Sequence, residues 1–348
     1  MRNYLVAHQS FHVGDMADYY TQDNLHPDTA EMRDWEQDHN KRNKEKIMST
    51  KAPLQPRSSG SGSQAAQRIF SLADIKSKSD KPLPNRYGLY AGPGFGKTSI
   101  AAYALKPIFL KSRGETGLDT LIDAGQIPPT PSLPEITHWL DLMAALRLLL
   151  DEEHGYKTLV IDTANGMERL CHEYITERDF GGDWGDRGFS SYQKGYDVSL
   201  AEWRLFQNEL DKLREKGMTI FMLMHARVKP FRNPSGLDYD RYVPELHEKS
   251  WVMLKGWLDV IIFGNLEIAV HTAKKSDSLD PTKKGKASDA SSRILYCNSD
   301  NPSYEAKNRL GLPAEIECGD TPKEAWTNLA KAIIAGRKIN PVQEASNG

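Results

Sequence analysis

The sequence predicts an α/β protein built on a mostly parallel central sheet with helices on both faces. Three observations carry that prediction. From about Gln67 onward, short and continuously apolar segments alternate with amphipathic ones; a glycine-rich turn joins one apolar segment to a helical one; and another apolar segment ends in an aspartate. Strands that are apolar at every position are buried on both faces, as in parallel sheets covered by helices.

Along the chain, Tyr87-Gly88-Leu89-Tyr90 reads as the first strand and Ser99 to Leu105 as the helix after the glycine-rich turn. Pro107-Ile108-Phe109-Leu110 is a second strand. Trp139, Met143, Leu146 and Leu150 recur at helical spacing, and Lys157 to Ile161 is a buried strand. The longest helix carries Tyr196, Leu200, Trp203, Phe206, Leu210 and Leu213 on one face and stops at Gly217. Met218 to Met224 and Asp259 to Phe263 are further apolar strands. Lys274 to Ser292 reads as an exposed hairpin loop before the strand Arg293 to Tyr296. Its lysines are offset by Asp277, Asp280 and Asp289, the pattern of a solvated face. A last helix starts at Thr321-Pro322, with threonine as the cap and proline in the first helical position, and ends near Gly336.

This divides the chain into a charged, Ser/Gly-rich extension over 1–66, a core over 67–318, and a C-terminal helix and tail over 319–348. The extension is too polar to bury a core and reads as at least partly disordered, with Met48 as an alternative start. The 348 residues are 39% hydrophobic and 26% charged, ordinary for a globular protein. A net charge of -2 excludes a generally basic protein that coats nucleic acid, so any such contact must be local. Three widely spaced cysteines form no CxxC pair and read as reduced thiols, and no segment has the roughly 20 apolar residues of a membrane span. A cytoplasmic protein is expected.

The glycine-rich turn is Ala91-Gly92-Pro93-Gly94-Phe95-Gly96-Lys97-Thr98, a P-loop pattern with alanine in place of the first glycine. Gly92 to Ser99 are expected to hold ATP: glycines turn successive N–H groups onto the phosphates, and the next helix points its positive end at them. Lys97 neutralises the β and γ oxygens, and the Thr98 hydroxyl binds Mg²⁺. Asp162 ends the buried strand and is the second expected Mg²⁺ residue. His225 ends the strand Ile220 to Met224, where it senses the γ-phosphate or merely caps the strand. Beyond it, Arg227, Lys229, Phe231, Arg232, Tyr239, Arg241 and Tyr242 interleave cations with aromatic rings in what reads as a loop. That mixture suits single-stranded DNA, with cations on phosphates and rings on bases; the plainer alternative is a solvated loop.

These pieces, in this order, resemble the RecA-like core ATPases of bacteriophages. The nearest group is the AAA-type phage ATP-binding proteins, including the Sak-type single-strand-annealing recombinases. The resemblance runs from about Tyr87 to Cys318. Besides the two phosphate-site motifs it includes Gly114-Glu115-Thr116-Gly117-Leu118, His225-Ala226-Arg227-Val228-Lys229, Tyr239-Asp240-Arg241-Tyr242, Leu246-His247-Glu248-Lys249, Trp257 to Ile261, and Ala306-Lys307-Asn308-Arg309-Leu310-Gly311-Leu312-Pro313. It implies a RecA-like P-loop NTPase core that hydrolyses ATP with Mg²⁺. It also implies a part in phage DNA recombination or replication in the bacterial cytoplasm, with annealing or pairing of single-stranded DNA by a ring or filament of like subunits as the leading expectation. A single-strand DNA-binding protein is a further implied partner. Glu115 lies where such ATPases carry their catalytic carboxylate, with a solvated loop glutamate as the alternative. Lys307 and Arg309 are candidates for a cation that completes a neighbouring subunit's site, or else for a surface salt bridge. A nucleotide-dependent switch or loader acting on a replication protein is the competing function. The first 65 residues, the Lys274–Ser292 stretch and Ala91 depart from the family pattern.

Overall fold

Five parallel strands form the centre of the sheet: β1 (Arg86–Ala91), β2 (Pro107–Lys111), β3 (Thr158–Asp162), β4 (Thr219–Phe231) and β6 (Val260–His271). Their spatial order is β2-β3-β4-β1-β6, continued by the antiparallel β7 (Lys286–Tyr296) and β9 (Glu315–Glu317). Two further strands lie off this path. β5 (Tyr239–Pro244) pairs with the far half of β4, and the two-residue β8 (Lys307–Asn308) pairs with β6. The coordinates are a computed structural model, which describes residues 83–271 and 286–339. The extension expected over 1–66 and the core's expected start at 67 lie outside the described residues.

The parallel strands are apolar at successive positions because each feeds two cores. On one face Tyr90, Leu110, Leu159, Ile161, Ile220 and Met222 meet α3 (Trp139–Asp151), α4 (Ala164–Phe180), α5 (Lys194–Glu215) and α6 (Glu248–Trp257). On the other, Leu89, Phe109, Val160, Phe221 and Leu223 meet α1 (Lys97–Ala101), α2 (Gly117–Asp123) and α7 (Pro322–Ile339). Neighbours in a strand therefore enter opposite cores, the period-2 alternation of a doubly covered sheet. At the sheet's outer edge, Phe109 exchanges backbone hydrogen bonds with the extended segment 131–133, and Lys111 accepts one from Ile136.

The expected elements are present with altered limits. α1 begins at Lys97 and ends at Ala101, short of Leu105, and Lys106, before Pro107, takes a φ of 43° outside the helical region. α5 ends where expected, at a Gly217 in the left-handed region with φ of 95°. β4 overruns Met224 by seven residues and, with β5, forms an antiparallel ribbon. The DNA-candidate segment is thus a hairpin and not a loop, apart from its turn at 232–238. In that turn Asn233 Oδ1 accepts from Ser235 N, and Asp238 Oδ1 accepts from Asn233 N. Of the expected hairpin loop over 274–292, residues 286–292 belong to β7 and the remainder lies outside the described residues. α7 runs past Gly336 to Ile339.

Phe206 of α5 is fully buried between Trp139 and Trp203, with ring centroids at 5.7 and 5.3 Å. Phe206→Ala is expected to cost about 3–5 kcal/mol of stability, read as a lower urea midpoint at unchanged slope.

Candidate functional site

The parallel strands end level at one edge, and the site is built there. Register pairs Ala91 with His225 across β1 and β4, and Lys111 with Asp162 across β2 and β3. From Ala91 the chain turns through Gly94 and Gly96, at φ of 77° and 100°, conformations closed to most L-residues, and enters α1. α1 has no side-chain N-cap, so its first N–H groups are left for a ligand. The methyl of Ala91 is fully buried in the core, so alanine fits where the motif usually has glycine. Phe95 anchors the loop: its ring lies over Gly264 of β6, where a Cβ would come within 2.5 Å of a ring carbon.

Behind the loop the charged groups converge. Lys97 is buried, and its ammonium donates to the carbonyls of Ala91 (3.0 Å) and Gly92 (3.2 Å). Burial lowers its pKa, opposed by the charges of Asp162 and Glu115. The Thr98 hydroxyl donates to Asp162 Oδ2 at 2.9 Å. Asp162 is buried, and desolvation raises its pKa from 3.8 to about 6 despite that hydrogen bond. A carboxylate placed at this cost is stabilised by a cation. With the hydroxyl beside it, it offers the hard oxygen donors that Mg²⁺ takes alongside phosphates. Among the described residues there is no group of three or more His, Cys, Asp or Glu side chains able to hold a metal by themselves.

Glu115 and His225 meet over the loop, Nε2 to Oε1 at 3.3 Å. The Thr163 hydroxyl donates to the same Glu115 oxygen at 3.2 Å. The hydrogen bond from His225 is the main reason Glu115 is held below its ordinary pKa, so it is ionised at neutral pH. Sequence reasoning missed the residues that set this arrangement. Ser112 Oγ accepts from Thr163 N, and Asn165 Oδ1 accepts from His225 N at 2.8 Å while its amide donates to the Glu245 carbonyl. Asn165 lies in the first turn after the strand that ends in Asp162, which was the available signal. The cleft over the loop, about 690 Å³, also takes in Arg293 and residues 318–325, which no local motif marks.

The ribbon places its candidates unevenly. Arg227 donates to the Leu246 carbonyl, Lys229 pairs with Glu248 at 3.1 Å, and Arg241 pairs with Glu305 at 3.4 Å. The Arg241 guanidinium also lies 5.1 Å over the Phe231 ring, which packs against Tyr239. Tyr242 stacks on Phe263, and Arg232 is exposed in the turn. Between ribbon and α6 is a cleft of about 360 Å³ lined by Arg227, Lys229, Arg232, Arg241 and Lys255, with Glu248 and Glu305 as the acidic members. Of the two cations considered for a neighbouring subunit's site, Lys307 is engaged within the chain. Its ammonium donates to the carbonyls of Lys255, Gly256 and Leu258 and so caps the end of α6. Arg309 is more than half exposed, at 3.9 Å from Asp259.

Two outcomes test this geometry. Because the folded protein raises the pKa of Asp162, the proton binds the native state more tightly. Its stabilising effect is complete below about pH 4 and is lost as pH rises through about 6. Nucleotide-free Asp162→Asn should therefore be more stable than wild type by up to about 3 kcal/mol above pH 7, with the gap closing below about pH 4 in urea titrations. Gly264→Ala should displace Phe95 and weaken Mg·ATP binding by about tenfold in calorimetry, with little change at the ribbon.

No helix among the described residues is long and apolar enough to cross a membrane. Comparison with curated proteins finds no match. A family model described as an AAA domain matches residues 83–310, well over half of the chain, from just before β1 to just after β8. All the strands that hold the phosphate loop, Asp162, Glu115 and His225 fall inside that match, and the chain belongs to the AAA domain family of nucleotide-binding proteins.

Proposed function

We propose that this protein is an Mg²⁺-dependent ATPase that couples turnover to its grip on single-stranded DNA, promoting annealing or pairing as an assembly of like subunits. The observation that carries this reading is one strand. β4 runs unbroken from His225, in contact with Glu115, to Phe231 in the cationic ribbon. A change in what His225 touches is transmitted along a single strand to Arg227 and Lys229, and across the ribbon to Arg241, which pairs with Lys229 in the strand register.

In this reading the P-loop amides and Lys97 bind the triphosphate, and Lys97 exchanges its two carbonyl partners for phosphate oxygens. Thr98 and Asp162 hold the magnesium ion, which supplies positive charge to the phosphate oxygens. Glu115, ionised and oriented by Thr163 and His225, accepts a proton from the attacking water. His225 reports the γ-phosphate by exchanging its contact with Glu115. The resemblance to phage annealing recombinases supports recombination as the setting. Arg309, exposed on the surface, is the remaining cation able to serve a neighbouring subunit. One observation favours the alternative of a switch or loader: Arg227, Lys229 and Arg241 already have partners within the chain, which leaves fewer ribbon cations free for the phosphates of DNA.

A steady-state ATPase assay with and without single-stranded DNA tests the proposal. Wild type should hydrolyse ATP faster with DNA, Lys97→Ala and Asp162→Ala should lose turnover at least about a hundredfold, and Glu115→Gln should keep nucleotide binding while losing turnover. Turnover and binding indifferent to DNA would leave the loader reading in its place.

A further inference from the structure

The ribbon has an inner face. Alternation along β4 puts Arg227, Lys229 and Phe231 on one side, and the register sets Val243 and Arg241 of β5 opposite the first two. α6 turns a stripe toward them, Glu248, Trp251, Val252 and Lys255, spaced as successive turns of one helix face. Between ribbon and helix lies the cleft of about 360 Å³, small for a folded domain and sized for a short linear segment.

The floor of that cleft is apolar and mostly aliphatic. Val243, Pro244, Leu246 and Trp251 are buried, and Val252 is left 65% exposed at the rim. Five cations surround this floor against two carboxylates, a surplus of three positive charges. Arg227 spends a donor on a neutral carbonyl and keeps its charge, while Arg241 and Lys255 share the single carboxylate of Glu305, at 3.4 and 2.9 Å. Lys229 meets Glu248 in a pair exposed on both sides, a weak contact that a ligand can replace. The rings, by contrast, are engaged. Phe231 packs against Tyr239 and under the Arg241 guanidinium, both at 5.1 Å, and Tyr242 stacks on Phe263 at 5.0 Å. Free ring faces are what hold the bases of a single strand, whereas a carboxylate needs only the cations and an aliphatic group only the floor.

We propose that the cleft between the ribbon and α6 binds an acidic protein segment that carries an apolar side chain. Its carboxylates meet Arg227, Lys229 and Arg232, and its apolar group covers Val243, Leu246 and Val252. Guanidinium groups grip carboxylates with two parallel hydrogen bonds, and one buried apolar anchor sets the register that charge alone leaves loose. The inference goes beyond the DNA reading and gives the inner face of the ribbon a protein ligand.

Fluorescence anisotropy of the intact protein with labelled peptides tests it. An oligo-aspartate peptide ending in Leu-Phe should bind at least about tenfold more tightly than oligo-asparagine ending in Leu-Phe or oligo-aspartate ending in Ser-Ser. Val252→Ser, at an exposed position outside the nucleotide site, should weaken that peptide about fivefold and leave oligo-deoxythymidine affinity within about twofold. Lys229→Glu should weaken the peptide about tenfold. Equal binding of the three peptides, or peptide affinity unchanged in both variants, would overturn the proposal. Oligo-deoxythymidine weakened by Val252→Ser in parallel with the peptide would assign the cleft to DNA instead. If one variant does not fold, the other and the wild-type preference decide. None of these readouts uses ATP turnover, so a failed peptide site leaves the ATPase reading standing.

Discussion

The hydrogen bond from Thr98 to Asp162, 2.9 Å across 64 residues of sequence, is the contact on which the rest of the site depends. It exists because β1 and β3 run parallel and finish at the same edge, with β4 between them. Helices on both faces bury the central strands at nearly every position within the main sheet, so a shift of register would move whole side-chain sets between the two cores. That fixes the strand ends relative to one another. The carboxylate, the hydroxyl and the lysine are therefore positioned by the entire hydrophobic interior, and the loop itself needs little more than its left-handed glycines. Burial makes Asp162 costly as an anion, and the same burial makes it responsive to a cation.

Much of this was legible in the residues. The phosphate loop, Asp162, Glu115 and His225 each carry a local signal, a turn chemistry or a polar residue at the end of an apolar run, and the fold brings all four together. Thr163, Ser112 and Asn165 were not legible, since their importance lies in hydrogen bonds across 48 to 60 residues that no spacing encodes. The ribbon was misread for a physical reason. A two-stranded hairpin standing off the sheet is exposed on both faces, so its strands lose the apolar continuity that marked the others. That Lys307 closes the end of α6 was likewise not legible, since its carbonyl partners lie 49 to 52 residues away.

The connection between cleft and ribbon is braced on its far side. Asn165 holds both His225 N and the Glu245 carbonyl, the Glu168 carboxylate accepts from His247 N, and Arg227 reaches the Leu246 carbonyl. The first turns of α4, which begin just after Asp162, thus grip both the point where β4 leaves the site and the point where the chain returns from β5. Such a double attachment makes the ribbon move with the site more than with the solvent around it. Coupling of this kind requires two arrangements of the same contacts, and the His225–Glu115 pair is the contact that borders the cleft over the phosphate loop.

The chain over 131–136, laid along β2, gives the sheet a closed flank. Exposed strand borders recruit other strands, and proteins that expose them polymerise without control. Here the backbone groups of Phe109 and Lys111 that would offer that template are already occupied. On that side, any joining of subunits must be written in side chains, where it can be specific and reversible, because the backbone has no ladder left to extend.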